Sequence, residues 1–545
     1  MSFSTTNNTT SNQNNADLIV ATLKQAGVSH GFGVPSGNVL PLMEAMRTGG
    51  IEFVLTAHEG SAGFAADAMG RITGKPGFCL ATLGPGATNL ATGVGCAMLD
   101  RSPMIAITCN LHEKQLGRRI QMSIDHHDLF RPLTKATIPL RRGQIADSLR
   151  QALETSLAEP RGPVHLDLPE DVALAPAEEE IPSISSLAPA TAADSAVLQA
   201  AGTLLATARR PVAVIGLSAV RMCQSSLLRD FVETHQIPFA TTTMAKGLID
   251  EDHPLSIGCI ERARRQIQRR FLDSADLIVG IGYDSIEVEY EAWIGNTPLL
   301  HIDGEPADTD GTVHIEHSVV GDLASSLEHL RQSSPASSDW SEHQIVAHKH
   351  EFQTALRPGS LEFCPHQAID AVRRALPPEG ILTFDVGAHT HQIASQWTAH
   401  SPGTFQITNG WSSMGFGIPS AIGCKLAKPD VPLVCVIGDG CFQMTCGEVA
   451  VAARHQLPIP FVILDDRWLS LIQVKQHRRG LPTYGTELSP VATDAAPAHY
   501  FGVPVTVVQT AEGLEDEVNR GLAARGPTII EARVNPAHYT ETVFD

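Results

Sequence analysis

The chain has 545 residues, which is too long for one hydrophobic core, so we expect two to four domains of roughly 100 to 200 residues each. Hydrophobic residues make up 43% of it, as in a well-packed globular protein. The formal net charge of −20 argues against a nucleic-acid or membrane-surface partner, because binding to phosphate groups usually needs a basic face. No window approaches the ~18 unbroken apolar residues of a membrane span. This composition predicts an acidic soluble enzyme.

The amino-terminal segment, residues 1–16, is rich in Ser, Thr and Asn and lacks Lys, Arg and an apolar run. This composition fits neither a signal nor a transit peptide, and we predict a disordered tail. The ten cysteines are scattered singly, and even Cys441 and Cys446 lack the paired spacing of a zinc site. Reduced thiols of this kind favour a cytoplasmic protein.

Residues 17–172 alternate short apolar runs with longer helical patterns. The runs IEFVLTA, FCLATLG and PMIAITC are separated by the helical segments HEGSAGFAADAMGRITG and PGATNLATGVGCAMLD. Such an alternation predicts a parallel sheet with crossover helices on both faces.

Two more domains of the same kind are predicted further along the chain. Residues 173–195, rich in Pro, Ala, Ser and Glu, form a predicted linker to a central domain over 196–330, with strands at PVAVIG, DLIVGIG and LLHID. A second predicted linker, 331–361, leads to a third domain over 362–545, with strands at ILTFDVG, PLVCVIGDG, IPFVILDD and TIIEARV. The predicted fold class is therefore α/β, with three doubly wound parallel-sheet domains.

The stretch VCVIGDGCFQMT, residues 434–445, places Asp439 between two glycines where an apolar run stops. We expect PLVCVIG to form a buried strand, CFQMTCGEVAVAARHQ its crossover helix and IPFVILDD the next parallel strand. Both strands then end at the same edge of the sheet, where ligands of open α/β sheets bind. Asp439 lies at one strand tip and Asp465–Asp466 at the other.

This edge suits an anion and a metal ion together. Gly440 lies directly before the predicted helix, whose free N–H groups favour a phosphate. Two carboxylates beside a phosphate indicate a hard cation, Mg²⁺ or Ca²⁺. Each motif alone also has a plainer interpretation, GDG as a turn and the acidic pair as a helix cap, and it is their combined placement that favours a ligand site.

The spacing of GDG, 24 residues (441–464) and an acidic pair resembles the signature of the thiamine diphosphate enzymes, which carry two Asn where this chain has Asp465 and Asp466. The resemblance implies Mg²⁺ bound by Asp439, Asp466 and the main-chain carbonyl of Trp468. It also places Gly440 and Cys441 among the cofactor contacts. We expect the more acidic site to hold Mg²⁺ more tightly and to repel the diphosphate slightly.

A second match lies in the first domain. LTAHEGSAGFAADAMGRITGKPG followed by ATLGPGATNLATG is similar to the pyrimidine-binding domain of the same enzymes. The resemblance implies that Glu59 faces the aminopyrimidine, with Pro85 and Asn89 also at the cofactor. Because Glu59 follows an apolar strand and precedes a Gly/Ala-rich helix, we expect a partly desolvated carboxyl able to form a short hydrogen bond to a ring nitrogen. A helix-start carboxylate that only satisfies free N–H groups is the alternative.

Nearly the whole chain from about residue 17 resembles the acetolactate synthases. FDVGAHT then places Ala388 and His389 at diphosphate-contacting positions. WSSMGFGIPSAIG likewise places Ser413 at the cofactor and Met414 as the apolar wedge that bends it. The central stretches VGIGYDSIEVEYEAWI and HIDGEPADTD look like those of the flavin-free catabolic members, so we expect a nucleotide fold without bound FAD.

The acceptor half of the predicted site departs from this pattern. Where acetolactate synthases have Phe-Gln-Glu, this chain has Gln121 one position out of register, and Lys475 stands where biosynthetic members have Trp. A similar mixture of motifs occurs in enzymes resembling carboxyethylarginine synthase, which form a carbon–nitrogen bond. His126 and His127 do not align with the proton-donating histidine pair of some decarboxylases. Gln121 and His127 are candidate catalytic residues, with a plain loop pair as the alternative for the histidines, and Lys475 either contacts an anionic acceptor or lies in a solvated loop.

The resemblance implies a homodimer or homotetramer that decarboxylates a 2-oxo acid and joins the product to an acceptor carbonyl, as a transferase or lyase. Simple decarboxylation and carbon–nitrogen bond formation are alternative activities. A catalytically silent cofactor-binding paralogue is a hypothesis of a different class, against which Glu59, Asp439 and Asp466 argue. A flavin-dependent oxidase on the same scaffold is another, and bound flavin would colour the purified protein yellow.

Overall fold

The computed structural model describes residues 13–184, 190–288, 293–309, 311–335, 338–488 and 496–543. The chain divides into two compact units, residues 1–187 and 188–545. Each parallel sheet in them falls inside one of the predicted domain ranges, and the α/β fold class is confirmed. The exact domain boundaries stay predictions. No helix in the described ranges is long and apolar enough to cross a lipid bilayer.

The first unit contains a parallel sheet. Its strands are β1 (His30–Gly33), β2 (Glu52–Leu55), β3 (Gly77–Thr82), β4 (Met104–Asn110), β5 (Ala136–Pro139) and β6 (Pro163–Pro169). Among the described residues they form one six-stranded sheet in the order β2-β1-β3-β4-β6-β5. β3, β4 and β6 are buried along their whole length because helices cover both faces.

The helices of the first unit are α1 (Asn15–Gln25), α2 (Leu40–Gly49), α3 (Glu59–Thr73), α4 (Pro85–Leu99), α5 (His126–Phe130), α6 (Ile145–Leu157) and α7 (Glu170–Leu174). Short 3-10 turns lie at Gly37–Val39, Glu113–Gln115 and Arg131–Leu133.

Helix α1 begins inside the predicted tail. The Asn14 side chain accepts the Asp17 N–H at 2.9 Å, and the Asp17 carboxylate accepts the Asn14 N–H at 3.0 Å, which forms a capping box. The prediction of a disordered tail is therefore wrong for residues 14–16, because this reciprocal cap starts the helix there. Residues 1–12 of the tail lie outside the described residues.

The central domain carries the strands β7 (Pro211–Ile215), β8 (Phe239–Thr241), β9 (Ser256–Cys259), β10 (Leu277–Ile281), β11 (Leu299–Asp303) and β12 (Ile315–Val320). In the described ranges they form a parallel sheet in the order β12-β11-β10-β7-β8-β9. The helices are α8 (Ser195–Thr207), α9 (Leu217–Met222), α10 (Ser225–His235), α11 (Arg265–Asp273), α12 (Ser285–Val288), α13 (Leu323–Arg331) and α14 (Glu342–Ala355), with a 3-10 turn at Thr243–Ala245.

The predicted linker over 331–361 contains the helix α14, which the sequence analysis did not predict. Ser341 and Gln344 form a capping box at its start. Ile345, His348 and Phe352 recur at helical spacing and are buried on one face.

The third domain carries the strands β13 (Ile381–Phe384), β14 (Phe405–Gln406), β15 (Leu433–Gly438), β16 (Pro460–Asp465), β17 (His499–Tyr500), β18 (Val503–Val508) and β19 (Thr528–Arg533). Within the described residues the order is β14-β13-β15-β16-β19-β18-β17. The helices are α15 (Pro365–Ala375), α16 (Ala388–Gln396), α17 (Gly417–Ala427), α18 (Asp439–Thr445), α19 (Val449–Arg454), α20 (Ser470–Arg478), α21 (Ala511–Leu522) and α22 (Tyr539–Thr542), with 3-10 turns at Cys446–Glu448 and Pro536–His538.

An edge strand and a crossover helix of this third domain differ from the prediction. The edge strand β17 is antiparallel to β18, because Phe501 and Gly502 both have positive φ and form a two-residue hairpin turn. The predicted crossover helix over 441–456 starts earlier, at Asp439, and is interrupted by the 3-10 turn Cys446–Glu448. The turn contains Gly447, whose backbone freedom disfavours a continuous helix.

Candidate active site

Asp439 and the pair Asp465–Asp466 lie at the carboxyl ends of neighbouring strands. β15 and β16 pair in parallel, with Gly438 opposite Leu464. Asp439 is the first residue of α18, and Asp465 is the last residue of β16. The strands before them are apolar and buried, so the carboxylates emerge at the edge where ligands of such sheets bind.

Main-chain N–H groups and one hydroxyl hold the two carboxylates. Asp439 accepts the N–H of Gly440 and the N–H of Arg467, both at 2.8 Å. Asp466 accepts the N–H of Trp468 at 2.9 Å and the hydroxyl of Ser470 at 2.7 Å. Within the described ranges, neither carboxylate forms an ion pair with a Lys or Arg side chain. The two carboxyl groups are therefore held in place, but no described cationic side chain stabilises their ionised forms.

Electrostatics at this edge favours a bound cation. Burial, together with repulsion from Asp466 and Asp465, raises the pKa of Asp439 to about 8. Burial raises the pKa of Asp466 to about 6. Both shifts disfavour the ionised form, and a divalent cation reverses such shifts. The donors of Asp439 and Asp466 are carboxylate oxygens, which suit Mg²⁺ or Ca²⁺, and the main-chain carbonyl of Trp468 as a further ligand stays a prediction.

His389 brings a buried polar atom without a partner to the same edge. It lies in the first turn of α16, after Ala388, and its Nε2 atom has no hydrogen-bond partner among the described residues. Burial lowers the pKa of His389 to about 4, so the ring is neutral at pH 7. A Cβ atom on Gly387 or Gly438 would lie 2.7 or 2.9 Å from its Cε1 atom, so these two glycines make room for the ring.

Met414 and Gly440 are neighbours in this site. A Cβ atom on Gly440 would lie 3.4 Å from the Cε atom of Met414 and 2.8 Å from Cδ2 of Leu469. The Ser413 hydroxyl donates to the Met414 carbonyl at 3.1 Å. The space over Gly440 is thus bounded by apolar atoms, which suits a ligand that approaches the main chain closely.

Cys441 and Asp385 stabilise the loops around this edge. The Cys441 thiol donates to the Val386 carbonyl at 3.0 Å, and burial raises its pKa, so it stays a neutral thiol. Asp385 accepts the N–H groups of Gly415 and Gly417 at 3.0 and 2.8 Å. Sequence reasoning did not single out Asp385, although it stands at the end of β13 within FDVGAHT, where a polar residue after an apolar run is the available signal.

In the first unit, Glu59 contacts Asn89, and Pro85 begins the helix that carries Asn89. Glu59 is the first residue of α3 and is only 9% exposed. Its Oε2 atom accepts the Asn89 side-chain amide at 3.0 Å. α4 begins at Pro85, and α3 and α4 touch through Gly63 and Gly93, where a Cβ atom on either would lie 2.6 or 2.5 Å from the Cα of the other.

The histidine pair separates into two environments. His126 is buried, its Nδ1 atom lies 3.0 Å from an Asp167 oxygen, and its Nε2 atom accepts the Gly84 N–H at 3.4 Å. His127 is half-buried, with Nδ1 2.7 Å from the Thr137 hydroxyl. His126 rather than His127 therefore contacts the turn before α4. The catalytic roles of His127 and of Gln121, which is exposed in the β4–α5 loop, stay predictions.

Sequence reasoning missed the polar network beneath His126. Asn110 donates to both oxygens of Asp167 at 3.0 Å. Burial opposes ionisation of Asp167, but the hydrogen bond from His126 outweighs it together with nearby charges, and the net pKa is lowered. Burial lowers the pKa of His165 to about 3. The available signal was a histidine and an aspartate in PVHLDLP, which is otherwise a fully apolar buried strand.

Lys475 lies on α20, half-buried, and has no ion-pair partner in the described part of the chain. Burial, with repulsion from Arg262 and Arg479, lowers its pKa. A cation that is placed beside other cations suits an anionic ligand, and its contact with an acceptor stays a prediction.

Comparison with known families gives a consistent result along the chain. Residues 13–129 match the thiamine pyrophosphate enzyme N-terminal TPP binding domain, 198–330 the central domain and 385–532 the C-terminal TPP binding domain. An acetolactate synthase large subunit of Parasynechococcus marenigrum is 30% identical over 95% of this chain and 87% of its own. A probable acetolactate synthase large subunit of Methanococcus aeolicus is 29% identical over 96% and 92%, and an acetolactate synthase of Bacillus subtilis is 28% identical over 97% and 94%.

The three matched domains and the carboxylate edge define a thiamine diphosphate-dependent enzyme. The chain belongs to the thiamine pyrophosphate enzymes and is acetolactate synthase-like.

Proposed function

We propose that this protein uses Mg²⁺ and thiamine diphosphate to decarboxylate a 2-oxo acid and to join the product to an acceptor carbonyl. The single observation that carries the proposal is the convergence of Asp439 and Asp466 at one sheet edge, uncompensated by a described cationic side chain and beside the unpartnered Nε2 of His389. The names of the similar proteins support carboligation over simple decarboxylation.

Each residue at the carboxylate edge has a proposed part in holding the cofactor. Asp439, Asp466 and the Trp468 carbonyl would hold the metal ion, whose charge would favour the diphosphate. The first turn of α16 offers N–H groups to the anion, beginning with Ala388, whereas the Gly440 N–H of α18 donates to Asp439 at 2.8 Å. When bound, thiamine diphosphate supplies a nucleophilic carbon and an electron sink for loss of carbon dioxide.

Glu59 would exchange a proton with the cofactor's pyrimidine ring. Its carboxyl is nearly buried, so a hydrogen bond to a ring nitrogen competes with little water. Asn89 holds one carboxyl oxygen at 3.0 Å and leaves the other for the ligand. Met414 would support the bent cofactor from the apolar side of the site.

We propose that the central domain works without FAD. Glu287 is buried there and accepts the N–H of Leu217 at 2.8 Å and the N–H of Met244 at 3.2 Å. Leu217 follows β7, at the position where a nucleotide fold offers N–H groups to phosphate. The protein's own carboxyl group thus uses a donor that a flavin nucleotide would need.

A homodimer or homotetramer, located in the cytoplasm, completes the proposal. The family resemblance implies that Glu59 of one subunit serves the carboxylate edge of another. All ten cysteines lie in the described ranges, and none of them forms a disulfide, which supports a reducing compartment.

The test is a proton NMR time course of the full-length protein with pyruvate, Mg²⁺ and thiamine diphosphate. We expect cofactor-dependent acetolactate or acetoin from the wild type and a loss of at least ~100-fold in the Asp439→Asn variant, because the metal ion loses a charged ligand. Asp430→Asn, an exposed aspartate of the same domain, is the matched control and should retain the rate.

Formation of acetaldehyde alone would show that the protein catalyses simple decarboxylation and not carboligation. Unchanged pyruvate, with other 2-oxo acids and with amine acceptors also unconsumed, would refute the proposed activity. Calorimetry on the same samples measures the binding of Mg²⁺ and the cofactor. Binding without turnover would indicate a silent paralogue, and no binding would indicate a protein that lacks the site.

A further inference from the structure

A cavity of about 870 Å³ lies within the first unit at the carboxyl edge of its sheet. Three neighbouring strands end at it, β4 at Asn110, β5 at Pro139 and β6 at Pro169. The loop between β4 and α5 forms the opposite wall. Ligands of parallel α/β sheets bind at such edges, so the position alone favours a binding site.

Three arginines line this cavity and have no acidic partner. Arg118 and Arg119 come from the β4–α5 loop and Arg141 from the segment after β5, and all three side chains are exposed. In the described part of the chain, none of the three forms an ion pair. Arg142 and Arg150 of the same unit do, with Asp171 at 3.2 Å and with Glu154 at 3.1 Å.

The acidic residues of the wall do not neutralise these arginines by direct contact. Asp167 accepts hydrogen bonds from His126 and Asn110 at 3.0 Å. Asp125 caps α5 by accepting the Asp128 N–H at 2.9 Å. The Glu113 side chain is exposed. The three arginines and the three acidic residues of the wall thus balance in formal charge, but the guanidinium groups form no ion pair within the described residues. Guanidinium groups bind carboxylate and phosphate groups through paired hydrogen bonds.

One residue of the cavity wall, His126, contacts the turn that begins α4. The Gly84 N–H donates to His126, which lines the cavity floor. A Cβ atom on Gly84 would lie 2.6 Å from the Met122 carbonyl, so the cavity loop is packed on this turn. Pro85 and Asn89 follow on α4, and Asn89 holds Glu59 at 3.0 Å. His126 thus connects the cavity wall to the turn that begins α4, the helix that carries Asn89.

We propose that this cavity binds the distal anionic group of a substrate with at least two negative charges, either a 2-oxo dicarboxylate or a phosphorylated substrate. That the ligand is a substrate rests on the proposed function. The anion site itself is inferred from the cavity and its unpaired arginines. The shared chemistry is a small dianion held by two or three guanidinium groups.

The first measurement is calorimetric titration of the full-length protein with succinate and, separately, with inorganic phosphate at low ionic strength. We expect the combined variant Arg118→Gln, Arg119→Gln, Arg141→Gln to bind about tenfold or more weakly than the wild type, because it loses the charged donors. Arg150→Gln is the matched control and should bind as the wild type does. Lysines at the three positions keep the charge and should retain part of the affinity.

The second measurement compares turnover of pyruvate and 2-oxoglutarate by the same proteins. We expect KM for 2-oxoglutarate to rise about tenfold or more in the combined glutamine variant, with kcat and the pyruvate KM within about twofold of the wild type, since pyruvate has no distal anionic group. Phosphate binding without succinate binding would assign the site to a phosphorylated substrate, for which the KM shift should then appear.

The outcomes separate the two proposals. Equal binding of both anions by the wild type and the glutamine variant, or binding by neither, would overturn the anion site even if pyruvate is consumed. Arginine-dependent binding without an effect on any KM would overturn the substrate assignment. Arginine-dependent binding in a protein that turns over no 2-oxo acid would support the site and refute the proposed function.

Discussion

Glu59 shows how much of this site depends on single side chains. Its carboxyl is 9% exposed at the start of α3, and the Asn89 amide fixes one oxygen at 3.0 Å. A group so placed offers one remaining oxygen in a defined direction. Proton transfer needs that oxygen to be acidic, whereas binding needs only a hydrogen-bonding group of similar shape.

Replacing Glu59 by Gln therefore separates the two roles. We expect thiamine diphosphate to bind within a few-fold of its wild-type affinity, while exchange of the cofactor's C2 proton slows at least ~100-fold, because an amide cannot relay the proton. Calorimetry measures the first quantity and hydrogen–deuterium exchange followed by proton NMR the second.

Glu44→Gln, an exposed carboxylate on α2, is the control and should change neither quantity. Wild-type exchange rates in the Glu59→Gln variant would remove Glu59 from the proposed proton relay.

Glu287 connects two elements of the central domain, the start of α9 and the segment after β8. Its carboxyl accepts the Leu217 N–H at 2.8 Å and the Met244 N–H at 3.2 Å. Burial raises the pKa of Glu287 to about 8 from an ordinary value of 4.5, so the group is neutral in the folded protein at pH 7. The unfolded chain releases this proton at much lower pH, and folding is thus coupled to proton uptake.

The sign of the resulting pH dependence follows from linkage. Between about pH 4.5 and pH 8 the folded protein keeps a proton on Glu287 that the unfolded chain has released. The contribution of Glu287 to the free energy of unfolding is therefore fully present below about pH 4.5. It declines by at most about 1.4 kcal/mol per pH unit as pH rises through that window. The Glu287→Gln variant has no such proton, and its stability relative to the wild type should increase from pH 5 to pH 8 and then level off.

Urea unfolding of both proteins at several pH values measures the difference. Glu342→Gln, which alters an exposed residue at the start of α14, should run parallel to the wild type. A pH-independent difference between Glu287→Gln and the wild type would contradict the assigned burial of a neutral carboxyl group.

Sequence predicted the elements better than the contacts between them. Apolar runs such as PLVCVIG and IPFVILDD marked buried strands, and the parallel connections then placed Asp439 and Asp466 at one edge. The His126–Asp167 and Leu217–Glu287 bonds join residues 41 and 70 positions apart, and no local period reports such pairs. Helix α14 was missed for a related reason, because its buried face consists of only three residues, one of them a histidine, within a polar segment.

At the scale of the whole molecule, the proposal assigns the two halves of each active site to different subunits. Inactive Glu59→Gln and Asp439→Ala chains should then complement one another. A heterodimer purified through two different tags would contain one site with both native residues and one with neither, so we expect about half of the wild-type activity per dimer. Steady-state turnover measures it.

Each variant alone should be inactive, which is the control for the mixture. A heterodimer as inactive as its parents would mean that Glu59 and Asp439 must come from the same chain, and the proposed sharing between subunits would be wrong.

The two glycines around His389 have a consequence for how this protein tolerates variation. Gly387 and Gly438 have no functional group, yet any side chain there would approach the imidazole to within 2.9 Å or less. The ring would be displaced before any ligand arrived. This site therefore depends partly on two positions that carry no side chain. A survey restricted to residues that bind, ionise or react would overlook both glycines.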